Sequence, residues 1–321
     1  MGPARKNPVA RISRRVYLST VEQRQELVYF DRYGQALKTE GIYGEKPLRW
    51  AYETRLGRFA LESVIKRRWF SGLYGKWADC GCSRKEIASF VDRFGLDPDE
   101  FLLPLESLKT FNGFFHRELK PQARPLAEGE KTVSFPADGR HLFIPNLAQS
   151  KEIWAKGQKF DLPALLGDAE TAARFAGGSA LISRLCPTDY HRFHFPLGGL
   201  PGSPRLINGP LYSVNPIALS KSLSYLWENK RRITEIHDSP VGDYLFLEIG
   251  ATNVGSIIDT ATPDAPVKRG DEKGYFKFGG SMVILIFAED SVEPAVDLAT
   301  QSQNGIELYA RVGDRAGSVQ A

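Results

Sequence analysis

The chain has 321 residues, 42 % hydrophobic and 25 % charged, an ordinary balance for a soluble globular protein with a sizeable core. Its longest uninterrupted apolar run, Met282 to Ala288, is seven residues, against the ~20 of a membrane span, and residues 1–20 lack the apolar stretch of a secretory signal. Three cysteines argue against a disulfide framework and for a cytoplasm-facing protein. Net charge is +4 but uneven: residues 1–80 carry 16 Lys/Arg and 8 Asp/Glu, so the remainder is net −4. A basic, aromatic-rich front suits an anionic partner, either nucleic acid or a membrane surface.

In chain order, residues 1–20 read as a basic tail. From Thr20 to about Tyr74 the pattern is helical, with Leu56, Phe59, Ala60, Ser63, Val64 and Arg67 at three- and four-residue steps. Trp50, Tyr52, Trp69, Phe70 and Tyr74 add rings suited to a lipid–water interface, or to a helical hairpin packed on its own core. Ser83 stands three residues before Glu86, a capping-box spacing, and Gly95 closes the run Ile87, Ala88, Phe90, Val91, Phe94. Phe111, Phe114, Phe115 and Leu119 form another apolar helix face, stopped by Pro121. Residues 120–125 must be extended, because each proline biases its predecessor out of the helical region.

Beyond Lys131 short β-type runs recur between turn residues: Val133–Phe135, His141–Ile144, Ala180–Leu185, Tyr244–Ile249, Val254–Ile258, Tyr275–Phe278 and Met282–Phe287. Helices fit near Leu162–Phe175 and Ile217–Trp227. The expectation is an α+β protein: a basic tail (1–20), a helical, membrane-facing region (20–120), then a largely antiparallel, sandwich- or barrel-like β body (121–321).

Chemistry-bearing residues are few. His191 and His194, three apart, suit no single strand face, so their rings should diverge; they read either as loop histidines or as catalytic groups. No set of further ligands with zinc spacing accompanies them, so no metal is expected. Asp138 in Pro136-Ala-Asp-Gly139 reads as a turn residue or as an acid that orients a histidine. Gly279-Gly280-Ser281 before an apolar strand reads as a turn or as an unshielded scissile carbonyl. No nucleophile elbow, P-loop or dinucleotide fingerprint is present.

Several separated segments resemble phosphatidylserine decarboxylase proenzymes of the bacterial type-II branch. They are Tyr43-Gly-Glu-Lys-Pro-Leu-Arg-Trp50, Phe111-Asn-Gly-Phe-Phe-His-Arg-Glu-Leu-Lys-Pro-Gln-Ala-Arg-Pro125, Pro136-Ala-Asp-Gly139, Asp189-Tyr-His-Arg-Phe-His-Phe-Pro196, Leu211-Tyr-Ser-Val-Asn215 and Phe278-Gly-Gly-Ser281. Two departures stand out. Met282 follows the serine where the family commonly has Thr or Ser, and Trp227-Glu-Asn-Lys-Arg-Arg232 replaces the usual asparagine-glutamate-arginine segment.

The resemblance implies self-cleavage between Gly280 and Ser281. His194, held in one tautomer by Asp138, takes the Ser281 proton, and the peptide becomes an ester that eliminates to dehydroalanine. Hydrolysis then leaves a pyruvoyl group, derived from Ser281, on an α-chain 281–321 beside a β-chain 1–280. That covalent cofactor forms the Schiff base with phosphatidylserine during decarboxylation to phosphatidylethanolamine. His191, with a near-neutral pKa, is the implied proton donor. An anionic lipid substrate favours the membrane over nucleic acid for the basic front, with the enzyme peripheral on the cytoplasmic face, and the family suggests a homodimer. The rival readings are a pyruvoyl-dependent decarboxylase of a soluble amino acid, an uncleaved Ser281–His194–Asp138 hydrolase, and an inactive lipid-surface binder.

Overall fold

The structure is a computed structural model and describes residues 27–149, 160–252, 256–279 and 281–320. The basic tail and Gly280 lie outside the described residues. After a first pair of strands the order is mainly helices and then mainly strands, with most strand pairs antiparallel, so the α+β expectation holds.

The strand Ser281–Phe287 organises the body. It reads Ser-Met-Val-Ile-Leu-Ile-Phe, and every residue is buried, as a strand covered on both faces requires. Antiparallel neighbours Ser179–Leu185 and Gly242–Gly250 flank it along its full length. Because successive side chains point to opposite faces, Val283, Leu285 and Phe287 enter one core, whereas Met282, Ile284 and Ile286 enter another. Each such side chain contributes about 1.5–3 kcal/mol on burial. A charge at Ile284, fully buried in mid-strand, would break the arrangement.

The sheet continues as an open, ten-stranded array rather than a closed barrel. On the Val283 face lie two three-stranded sheets, which contribute Phe193, Ile257 and Phe276 from one and Val133, Val292 and Ala316 from the other. On the Ile284 face lie short helices, Leu162–Leu166, Ala169–Arg174, Pro216–Leu219 and Tyr225–Glu228, which supply Leu165, Leu166, Leu219 and Leu226. The body is thus a sheet with sandwich packing on one face and helices on the other.

Residues 120–125 are not all extended, since Pro121–Ala123 forms a 3-10 turn, and the apolar helix before it stops at Phe115, short of Leu119, which instead bridges Phe101. Two larger corrections lie nearer the start of the chain. Residues 20–26 of the expected helical region lie outside the described residues, and from residue 27 on it holds a β-hairpin instead, Val28–Asp31 and Ala36–Thr39. Its first strand adds in parallel to Glu307–Ala310, so a distant sheet edge decides its conformation. Helices then follow at Glu45–Glu53, Arg55–Ala60 and Arg68–Ala78, with one π turn at Leu61–Ile65. Thr54 separates the first two, donating to the Trp50 carbonyl (2.8 Å) and accepting from the Gly57 N–H (2.9 Å). The second correction is Ser83, which does not cap Lys85–Phe94. Its hydroxyl donates to the carbonyls of Ala78 and Cys80 and accepts from the Phe111 N–H. Gly95 does close that helix, in the left-handed conformation.

The stripe Leu56, Phe59 and Val64 faces outward. Leu56 is 68 % and Phe59 70 % exposed, and Trp69 and Leu73 continue the patch at 58 % and 59 %. The inner faces of the helical region pack through Tyr52 and Leu61 on Tyr212 and Ile217, and through Phe90, Phe111 and Phe114 on Phe278. No helix among the described residues is long and apolar enough to cross a membrane.

Candidate active site

Ser281 opens the central strand, opposite Leu185 on one side and Gly250 on the other. It is wholly buried, and its hydroxyl makes no hydrogen bond among the described residues. A buried, unsatisfied hydroxyl costs about 1–3 kcal/mol, and native folds rarely carry one without use. Two residues upstream, Gly279 has φ +138°, a conformation side-chain-bearing residues seldom adopt. The chain therefore turns sharply before the serine.

The two histidines diverge, as their spacing predicts. His191 is completely buried, with its ring 3.8 Å from that of Phe115. Its Nδ1 lies 3.0 Å from the Asp189 carbonyl. A carbonyl can only accept, so Nδ1 carries the proton and Nε2 keeps its lone pair. That Nε2 makes no hydrogen bond among the described residues. Burial drags the ring's pKa down to about 3, with the Arg117 guanidinium assisting and the Asp189 and Gly279 backbones opposing. The expected near-neutral pKa is thus corrected: in the uncleaved chain His191 is a neutral imidazole, because no carboxylate faces it to offset its desolvation.

His194 sits on the short strand Arg192–His194 and its N–H donates to the Pro136 carbonyl (2.7 Å), which ties it to the Pro136–Gly139 turn. Its Nδ1 donates to the Gly270 carbonyl (2.9 Å), and its Nε2 lies 3.4 Å from the Tyr190 hydroxyl. Burial lowers its pKa, while the Gly270 carbonyl and the carboxylates of Glu272 and Asp138 pull the other way. It borders a cavity of about 260 Å³ with Tyr190, Arg124, Phe135 and Val312, whereas neither His191 nor Ser281 lines that space.

Asp138 does not fix the tautomer of His194; the Gly270 carbonyl does. The Asp138 carboxylate is occupied by Arg124, whose Nε and Nη2 approach to 2.9 and 2.7 Å, and by the Val312 N–H at 2.9 Å. A bidentate guanidinium outcompetes a neutral imidazole for a buried carboxylate. Asp138 reaches His194 through its charge rather than through a shared hydrogen bond. The turn is tight at Gly139, where a Cβ would stand 2.5 Å from the Arg184 carbonyl oxygen.

Residues that carried only a motif match, or none, hold these groups in place. Asp189, whose carbonyl orients His191, is itself gripped by Arg140 (2.6 and 2.8 Å) and by the Cys186 N–H (2.6 Å). Arg140 packs over the rings of both Tyr29 and Tyr309. Asn229, in the segment that departs from the family pattern, is fully buried. It bonds the Tyr212 N–H and carbonyl (2.8 Å each) and the Gly250 carbonyl (3.0 Å), tying Leu211–Asn215 to the residue facing Ser281. Phe278 is caged by the rings of Tyr43, Tyr74, Phe111 and Phe115, and its N–H donates to Asn112 Oδ1 (2.7 Å). Met282 fills the helix-covered core on the face opposite Ser281, so an apolar residue there follows from packing.

Comparison with known proteins bears on this arrangement. A family model described as phosphatidylserine decarboxylase matches residues 111–317. A phosphatidylserine decarboxylase proenzyme of Desulfitobacterium hafniense (strain Y51) is 42 % identical over 289 residues, 90 % of this chain and 97 % of the relative. One from Clostridium novyi (strain NT) is 42 % identical, covering 90 % of this chain and 98 % of the relative. One from Chlamydia muridarum (strain MoPn / Nigg) is 41 % identical over 293 residues, covering 91 % and 97 %. The chain belongs to the phosphatidylserine decarboxylase family.

Proposed function

We propose that this chain is a proenzyme that cleaves itself between Gly280 and Ser281 and then decarboxylates phosphatidylserine at an anionic membrane. The observation that carries the reading is the burial of Ser281. A nucleophile with no exposed surface cannot reach an external substrate, which argues against an uncleaved hydrolase. The carbonyl available to it is the one immediately before it in the chain. Intramolecular attack of this kind has effective molarities up to about 10⁵–10⁸ M when the geometry is right.

In the step proposed, a base takes the Ser281 hydroxyl proton and Oγ bonds to the Gly280 carbonyl carbon. The Gly280–Ser281 C–N bond then breaks and the freed amine takes a proton, leaving an ester. His194 serves as the base, as the family motif implies, with the negative charges of Glu272 and Asp138 favouring its protonated form. A second reading has one observation in its favour: His191 Nε2, beside the Gly279 backbone, is without a hydrogen-bond partner among the described residues. His194→Ala blocks cleavage and His191→Ala spares it under the first reading; the opposite pattern selects the second.

The pyruvoyl group fits a position where the wholly buried Ser281 faces Gly250 and His191 stands near the Gly279 backbone. Once formed, it supplies an electron sink for the carbanion left by carbon dioxide loss. His191, neutral with its Nε2 lone pair uncommitted among the described residues, would first take up a proton at Nε2 and then return it to carbon, and the rings around Phe278 would exclude water. The outward patch of Leu56, Phe59, Trp69 and Leu73, beside exposed Arg55, Arg58 and Arg67, suits an anionic bilayer. Basic groups near such a surface contribute about 1 kcal/mol each. The test is a ketone titration of the 281–321 fragment, paired with carbon dioxide release from phosphatidylserine vesicles and from free amino acids. One ketone per fragment and release from vesicles alone support the reading. Release from a free amino acid alone favours a soluble substrate.

A further inference from the structure

Self-cleavage requires the Gly280 carbonyl to be held near Ser281 Oγ, and the chain before it lies between two strands. Four residues separate the strand Glu272–Phe276 from the central strand, and among them Gly279 has φ +138°. Backbone hydrogen bonds hold Phe276 to the His191 carbonyl (2.9 Å) and Lys277 to the Ser256 carbonyl (3.2 Å). The next tether is a side chain: the Phe278 N–H donates to Asn112 Oδ1 at 2.7 Å.

Asn112 is 1 % exposed, on the short helix Phe111–Phe115, and both ends of its carboxamide are committed. Its Nδ2 donates to Asp79 Oδ1 (3.0 Å), and Asp79 Oδ2 faces Lys277 Nζ (3.3 Å). The polarity of this chain of contacts is fixed. A backbone N–H can only donate and a carboxylate can only accept, so the amide has one orientation, and neither a carboxylate nor an apolar side chain could replace it. Asp79 therefore grips the segment twice, once through Asn112 and once through Lys277.

We propose that Asn112, braced by Asp79, is a positioning residue for self-cleavage, clamping the chain two residues before the scissile carbonyl. The inference rests on the self-cleavage reading above. It gives the Asn of the Phe111–Pro125 segment a physical task, and it makes the helical region part of the processing apparatus. After cleavage Gly280 is a free chain end and the clamp has nothing left to align. Loss of the clamp should therefore slow processing without slowing turnover by molecules already processed.

The experiment follows full-length chain made in a cell-free system, timing the appearance of the 281–321 fragment. Turnover on phosphatidylserine vesicles is then measured per titrated ketone. Asn112→Leu, of similar volume, should slow cleavage roughly ten- to hundredfold, the scale on which about 1 Å of misplacement acts. Turnover per ketone should stay within about twofold of wild type. Asp79→Asn keeps an acceptor for Asn112 but loses the ion pair with Lys277, so it should cleave at a rate between wild type and Asp79→Ala, which loses both grips. Wild-type cleavage by Asn112→Leu overturns the proposal, as does a parallel loss of cleavage and turnover per ketone, which marks a merely structural role. If Asn112→Leu does not fold, the Asp79 pair decides, and equal rates for Asn and Ala overturn it. Wild-type chain that never cleaves, or Ser281→Ala chain that does, refutes the self-cleavage reading itself, and the clamp falls with it.

Discussion

The central strand and the helical front use the same kinds of side chain in opposite ways. Between Ser281 and Phe287 every residue is buried, and strict alternation sends each large side chain into one of two cores. Between Leu56 and Leu73 the stripe that looks most like a core, Leu56, Phe59 and Trp69, is turned outward. Hydrophobicity therefore means stability in the body and availability in the front. In the body the exception is the proposed nucleophile: Ser281, whose buried hydroxyl has no partner among the described residues, stands at the start of an otherwise apolar strand.

This contrast can be broken at both ends. The largest effect should come from Ser281→Ala, which abolishes cleavage and decarboxylation together. Because the hydroxyl has no partner among the described residues, thermal unfolding should be unchanged or slightly later. A variant that still splits into two chains, or one that fails to fold, would contradict the role given to this residue.

Next in size is Asp138→Ala. It takes the bidentate partner from Arg124, whose side chain is only 13 % exposed, and leaves Glu100 (3.0 Å) as the carboxylate still paired with it. About 1.5–3 kcal/mol of stability should be lost, read from urea unfolding. The double variant Arg124→Met/Asp138→Ala should recover much of that. If the double is no more stable than the single, the pair is not the main restraint on the turn.

Smaller again is the front. Leu56→Asp combined with Phe59→Asp should weaken binding to anionic vesicles by tenfold or more in a flotation assay and leave the melting temperature within a few degrees. A large fall in melting temperature with vesicle binding intact would make the stripe a core after all.

The smallest effect near neutrality concerns His191 and His141, both buried, with pKa values pulled to about 3 by desolvation. Their folded values lie below the ordinary value of about 6.5. The stability they contribute is thus fully present above pH 6.5 and drains away as pH falls toward 3. Unfolding free energy should decline over that window, and His141→Gln should flatten the decline. An unchanged slope in the variant would show that His141 is not held neutral.

Much of the body was legible because its signal is local. The run Met282–Phe287 and the segments at Ala180–Leu185 and Tyr244–Ile249 announce strands by composition, and all three are central. Elements decided by distant partners were not. The hairpin Val28–Thr39 exists because Glu307–Ala310 offers an edge, and Arg231–Ser239 hides its alternation behind Arg232, Glu235, His237 and Asp238. The site divides the same way. Asp138, His191, His194 and Ser281 could be picked out by residue type and motif. The tasks of Arg124, Asn112 and Asn229 depend on which backbone groups the fold brings to them, and spacing says nothing of that. The same reason explains why the tautomer of His194 proved to be set by a carbonyl 76 residues away rather than by Asp138.

The most direct test is the intact mass of the purified chain under denaturing conditions. Self-cleavage predicts two species, one ending at Gly280 and one comprising residues 281–321 with a pyruvoyl group in place of the serine. A single mass for the unbroken chain, from a folded sample that still decarboxylates phosphatidylserine, would contradict it.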